Sequence, residues 1–115
     1  MKKLVLCFLV FYVGSSSAQI VTSARTTIDM IYAYDDFGAI SGKEGADISI
    51  WLKTGVAECP RGVWLTPNAP AYKTLSSYVL AAYMSKIEVE FQVYTDRIWG
   101  GSGNPLCQVD AIRLK

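Results

Sequence analysis

The chain has 115 residues, 11 basic and 10 acidic side chains for a formal charge of +1, 51% apolar residues, three cysteines and no histidine. This length and apolar content suit one compact domain and exclude a disordered tail or a polybasic nucleic-acid arm. Without an imidazole there is no Ser-His-Asp or Cys-His catalytic pair, no histidine zinc ligand and no histidine pH switch.

Met1, Lys2 and Lys3 make a basic start, Leu4 to Val13 is an apolar run, and Ser16, Ser17 and Ala18 supply the small residues of a cleavage site. This pattern predicts a secretory signal peptide over residues 1–18, cleaved after Ala18. The apolar run covers ten residues, against the roughly 20 that a spanning helix needs, so no membrane anchor is expected. Cys7 lies inside that run and does not follow a small-residue site, which argues against a lipid anchor. Cleavage leaves a domain of 97 residues, 19–115, with nine basic and ten acidic side chains and a charge of −1. Its two cysteines, Cys59 and Cys107, are an even number in an oxidising compartment and predict a disulfide. Such a bridge closes a loop of about 49 residues, for which the chain-entropy model assigns about 4 kcal/mol. Two buried free thiols are the alternative.

From Ile20 to Tyr32 the even positions are largely apolar, and Ser23, Arg25, Thr27 and Asp29 occupy the other face, the period of a half-buried strand. Tyr34 to Gly45, with Asp35, Asp36 and three glycines, reads as a loop. A second strand follows, in which Ile48, Ile50 and Leu52 alternate with Asp47, Ser49, Trp51 and Lys53, so Trp51 is expected on the face opposite the isoleucines. Gly62 to Thr66 is a short third strand. Asn68 as N-cap and Pro70 in the first turn introduce a helix over Ala69–Ser85, with Tyr72, Leu75, Val79, Ala82 and Tyr83 on one stripe. Ile87, Val89, Phe91 and Val93 then alternate with Glu88, Glu90, Gln92 and Tyr94 as a fourth strand. Asp96–Pro105 is a glycine-rich loop, and Leu106–Leu114 is a fifth strand.

Strand, strand, strand, helix, strand, strand is the order of the OB-fold, a five-stranded Greek-key barrel. The fold class is therefore mainly β with one α-helix. Element order alone leaves an open α+β sheet with one covering helix as the alternative.

No constellation supports catalysis, so no enzyme and no cofactor are expected. Asp35 and Asp36 are adjacent and point apart, Glu88 and Glu90 share an outward strand face, and Asp35, Asp36 and Glu44 lack EF-hand spacing for calcium. Gly100, Gly101 and Gly103 precede no P-loop lysine and no helix. An OB-fold binds ligands between its first and last interstrand loops. That assigns recognition to Tyr34, Asp35, Asp36 and Phe37 in one loop and to Asp96, Arg97, Trp99 and Asn104 in the other. Phenol and indole rings stack on sugars or cover protein surfaces, and carboxylates and amides bond hydroxyls. Packing or loop anchoring is the competing role for Trp51, Trp64 and Trp99, least so for Trp99 among its glycines. A charge of −1 with scattered lysines lacks the positive groove that nucleic acid requires. On the outer helix face Thr74, Ser77, Ala81 and Ser85 are small and nearly neutral. This suits close packing in a homo-oligomer, or else it is a sparsely decorated surface helix.

The run from Cys59 through Trp64, Tyr72, Leu75, Leu80, Ala82 and Val89 to Cys107, Val109 and Ile112 resembles a group of small secreted Gram-negative proteins. More distantly, it is similar to the B subunits of subtilase-cytotoxin and typhoid-toxin type. The resemblance covers Cys59–Lys115 and implies an OB-fold, secretion, pentameric assembly and binding of sialylated glycans. The sugar-contacting serine of those subunits has no match in Tyr34–Gly45, so no glycan-binding residue is carried over. The sequence thus leads to a secreted or periplasmic, non-catalytic binding module for a glycan or protein surface, resembling a toxin B subunit. The alternative is a periplasmic structural or inhibitor-like protein that binds another protein.

Overall fold

A computed structural model describes residues 19–115; the expected signal peptide, residues 1–18, lies outside them. The elements are β1 (Ile20–Thr22), β2 (Ile28–Ala33), β3 (Ile48–Leu52), β4 (Gly62–Leu65), α1 (Tyr72–Ser85), β5 (Val89–Ile98) and β6 (Cys107–Leu114). They form one mainly β domain with a six-stranded sheet in the order β1-β5-β6-β4-β3-β2. All pairings are antiparallel except β4 with β6, which is parallel.

The expected single strand Ile20–Tyr32 is two strands. Alternation predicts inward and outward faces but not a change of partner, and the chain changes partner between Ser23 and Thr27. Ser23 accepts the Phe91 amide on its Oγ at 2.9 Å, and Thr26 exchanges backbone hydrogen bonds of 2.9 and 2.8 Å with Val89. The Thr26 Oγ1 also accepts the Thr54 amide at 2.9 Å, while the Thr27 carbonyl accepts from Lys53. Both polar side chains are buried, at 6% and 4% exposure, because they satisfy backbone groups where neither ladder can. The sheet is accordingly six-stranded with β1 and β2 at its two edges, in place of the expected five strands.

The core contains Ile50, Leu52, Val63, Leu65, Phe91, Val93 and Val109, the inward sets of β3 to β6. The helix adds Leu75, Val79 and Ala82, spaced to fall on one face, whereas Tyr83 of the expected stripe is exposed. The helix begins three residues later than expected. Its N-cap is Ala71, with no side-chain cap, and the Asn68 amide instead bonds Thr66 Oγ1 within the preceding turn. Cys59 and Cys107 form a disulfide, and both are fully buried. It fastens the entrance of β4 to the start of β6, beside the parallel Val63–Cys107 pairing. Among the described residues no helix is long and apolar enough to cross a membrane.

Candidate recognition surface

The outward face of the sheet carries aromatic side chains in register. Successive pairings align Tyr32 of β2, Ser49 of β3, Trp64 of β4, Gln108 of β6 and Tyr94 of β5 in one cross-strand row. The next row pairs Met30 with Trp51 and Trp51 with Gly62, so Trp51 lies opposite the isoleucine face as the alternation predicts. Ser49 Oγ and Trp51 Nε1 are buried without a hydrogen-bond partner.

The two loops expected to recognise a ligand meet at one end of this face. The Trp99 ring centre lies 5.7 Å from that of Tyr34 and 5.6 Å, edge-on, from that of Phe37. Tyr34 and Phe37 are themselves 5.7 Å apart, and Tyr32 is 6.3 Å from Tyr34. Tyr32, Tyr34 and Phe37 are exposed, at 48%, 38% and 48%, and form a ridge above Trp99.

Trp99 itself, expected as a recognition group, is only 4% exposed and lies beneath the ridge. Gly101 allows close packing here, since a Cβ on it would lie 2.2 Å from the indole ring. Trp99 donates from Nε1 to Oδ2 of the buried Asp47 at 2.8 Å. Burial raises the Asp47 carboxyl above the usual carboxylate range, and the indole hydrogen bond partly offsets this. Asp47 also organises the first loop, since its amide donates to the Phe37 carbonyl and its carbonyl accepts from Tyr34. The Tyr72 hydroxyl of α1 donates to the Ala46 carbonyl next door. Burial first, and then the Asp47 charge, raise the Tyr72 phenol.

Asp96 and Arg97 are part of β5, not of a loop. Tyr94 pairs with Gln108 and Ile98 with Cys107, so Thr95, Asp96 and Arg97 bulge outward from the ladder. The bulge turns Arg97 back until its guanidinium carbon lies 4.0 Å from the centre of the Tyr94 ring. The Arg97 carbonyl accepts from Trp64 Nε1 at 3.0 Å, and the Tyr94 hydroxyl donates to Asp110 Oδ1 at 2.6 Å. That hydrogen bond is the main reason the Tyr94 phenol is raised, with the Arg97 charge opposing it.

The structure thus joins Tyr34, Phe37 and Trp99 and places Arg97 in a neighbouring cleft. Asp35, Asp36, Asp96 and Asn104 are exposed. The hydrogen bonds of Asn104 stay local, to Ser102. Asp47, Trp64, Tyr94 and Asp110 are absent from the sequence-based assignment, because each reads as an ordinary member of a strand alternation. A carboxylate directly before an apolar strand was the one signal Asp47 offered. Among the described residues no group of three metal-binding side chains occurs.

Comparison with known proteins returned no match, either to a protein-family model or to a curated sequence.

Proposed function

We propose that this protein is an exported, non-catalytic binding module of OB-fold type that recognises a saccharide on its aromatic outer face. The observation that carries this reading is the ridge of Tyr32, Tyr34 and Phe37, held above a buried Trp99 that is pinned by Asp47. Exposed aromatic rings fixed by a hydrogen-bonded support are preorganised, so little side-chain entropy is lost when a ligand stacks on them. Asp35 and Asp36 beside the ridge supply acceptors for hydroxyl groups.

The barrel part of the reading is supported by β1 and β2. They are consecutive in the chain, yet lie at opposite edges of the hydrogen-bonded order, β1 against β5 and β2 against β3. A bent first strand shared between two partners is what closure of a five-stranded barrel needs. A buried disulfide accords with export to the periplasm or beyond, and the resemblance of Cys59–Lys115 to toxin B subunits accords with the barrel and with export.

A protein partner is the second reading, favoured by α1. Leu80 and Met84 are 57% and 71% exposed, next to the small residues Thr74, Ser77, Ala81 and Ser85, all of them exposed. This face suits self-association or a periplasmic target.

A glycan array probed with the disulfide-bonded protein tests the first reading. Saccharide binding that is lost in Tyr34→Ala and Phe37→Ala, with the thermal midpoint kept, supports it. A silent array together with a single protein captured through Leu80 and Met84, and lost in Leu80→Ser, replaces it by the second.

A further inference from the structure

A cleft of about 700 Å³ opens beside the aromatic row, walled by Trp64, Thr66, Asn68, Tyr94, Arg97 and Asp110. It lies two strands, roughly 10 Å, from Tyr32 along the row. Its volume falls within the range of small-molecule sites. We propose that this cleft seats one neutral hexose ring of a saccharide whose further rings stack on the ridge, an inference that rests on the saccharide reading and assigns that one ring to the cleft.

The walls are fixed before any ligand arrives. Trp64 is held through its Nε1 to the Arg97 carbonyl, Tyr94 through its hydroxyl to Asp110, and Arg97 through its guanidinium on the Tyr94 ring. The groups left to a ligand are those that hold sugar hydroxyls. Asp110 uses Oδ1 for Tyr94 and keeps Oδ2 as an acceptor. Arg97 is in no ion pair among the described residues and keeps its planar fork of donors. The Asn68 side-chain amide adds a donor and an acceptor. A carboxylate oxygen and a guanidinium edge in one cleft match adjacent hydroxyls, each of which donates and accepts, and the indole offers a surface for the ring's C–H face.

Charge selects the class. Among the described residues Arg97 and Asp110 are the only ionised side chains lining the cleft, and they flank the same phenol. Their charges cancel, so an anionic ligand gains from Arg97 what it loses to Asp110, and a cation does the reverse. A neutral polyol uses both.

Titration of the disulfide-bonded protein with methyl hexosides and with glucuronate, followed by saturation-transfer NMR and calorimetry, tests this. One neutral methyl hexoside is expected to bind saturably and at least tenfold more tightly than glucuronate. Asp110→Asn, which keeps an acceptor for Tyr94, is expected to weaken it at least tenfold, as is Arg97→Lys, while Lys53→Ala on a distant loop leaves it unchanged. Preference for glucuronate overturns the inference. So does hexoside binding that survives Asp110→Asn and Arg97→Lys but is lost in Tyr34→Ala, a result that moves the ring to the ridge and leaves the saccharide reading standing. Failure of that reading is distinct: no saccharide of any kind binds the unsubstituted protein.

Discussion

The Trp99 indole donates to the Asp47 carboxylate across a sequence distance of 52 residues, at 2.8 Å and out of solvent. One hydrogen bond therefore joins the β5–β6 connection to the loop between β2 and β3 and sets the position of the exposed ridge above it.

The pair makes stability depend on pH in a defined direction. The folded carboxyl titrates above its unfolded value of 3.8 because burial disfavours the charge. Between those two values the folded state binds more protons than the unfolded state, so stability is greatest below the unfolded pKa and falls as pH rises through the folded one. Asp47→Asn keeps an acceptor for Trp99 without the charge. It is expected to be at least as stable as the parent at pH 7 and to lose this part of the pH slope. Trp99→Phe leaves the buried carboxylate without its donor and is expected to cost about 1–3 kcal/mol. Urea unfolding at several pH values between 3.5 and 7 measures both.

Gly38 and Gly101 are where the backbone must come close. Gly38 has φ of +75° and a Cβ there would lie 2.1 Å from the Asp47 carboxyl oxygen, while a Cβ on Gly101 meets the Trp99 ring. Gly38→Ala therefore combines left-handed strain with a clash against a buried carboxyl, and a loss of about 2 kcal/mol or more is expected. Gly101→Ala is expected to lower the midpoint by displacing the indole. Gly103→Ala, with open space around it, is expected to leave stability within about 0.5 kcal/mol. Thermal unfolding of the three variants ranks them.

Cys59 and Cys107 are 48 residues apart in sequence and fully buried. Replacing both by alanine is expected to cost about 2–5 kcal/mol, with the denaturant midpoint falling and the mixed parallel and antiparallel sheet losing its staple beside β4. Because the bridge is shielded, reductant is expected to act on it only after unfolding, which alkylation at rising urea concentration detects.

Lys86 ends α1 in the left-handed conformation, with φ of 53°, and its amide closes the helix on the Tyr83 and Ala82 carbonyls. A glycine relieves the Cβ penalty of that geometry, so Lys86→Gly is expected to stabilise by about 0.5–1 kcal/mol. An unchanged or lower midpoint would count against the cap as the origin of strain.

The sequence by itself determined most of the strand stretches and the helix, because a period of two or of three to four residues follows from the direction of successive side chains. Ile48–Leu52, most of Gly62–Thr66 and most of Ala69–Ser85 were legible on that ground, and an even cysteine count after the expected cleavage was enough for the disulfide. Local pattern carries no information about partners, so the switch of the first strand from β5 to β3 at Ser23–Thr27 was decided only in three dimensions, where polar side chains could satisfy buried backbone groups. The same holds for the site. Loop composition pointed to Tyr34, Phe37, Arg97 and Trp99, but exposure is a property of the packed molecule. Asp47, 52 residues earlier in the chain, takes Trp99 into the interior, and a bulge in β5 turns Arg97 onto Tyr94 beside Asp110. Those contacts join residues with no sequence relation, and only the tertiary fold brings them within reach.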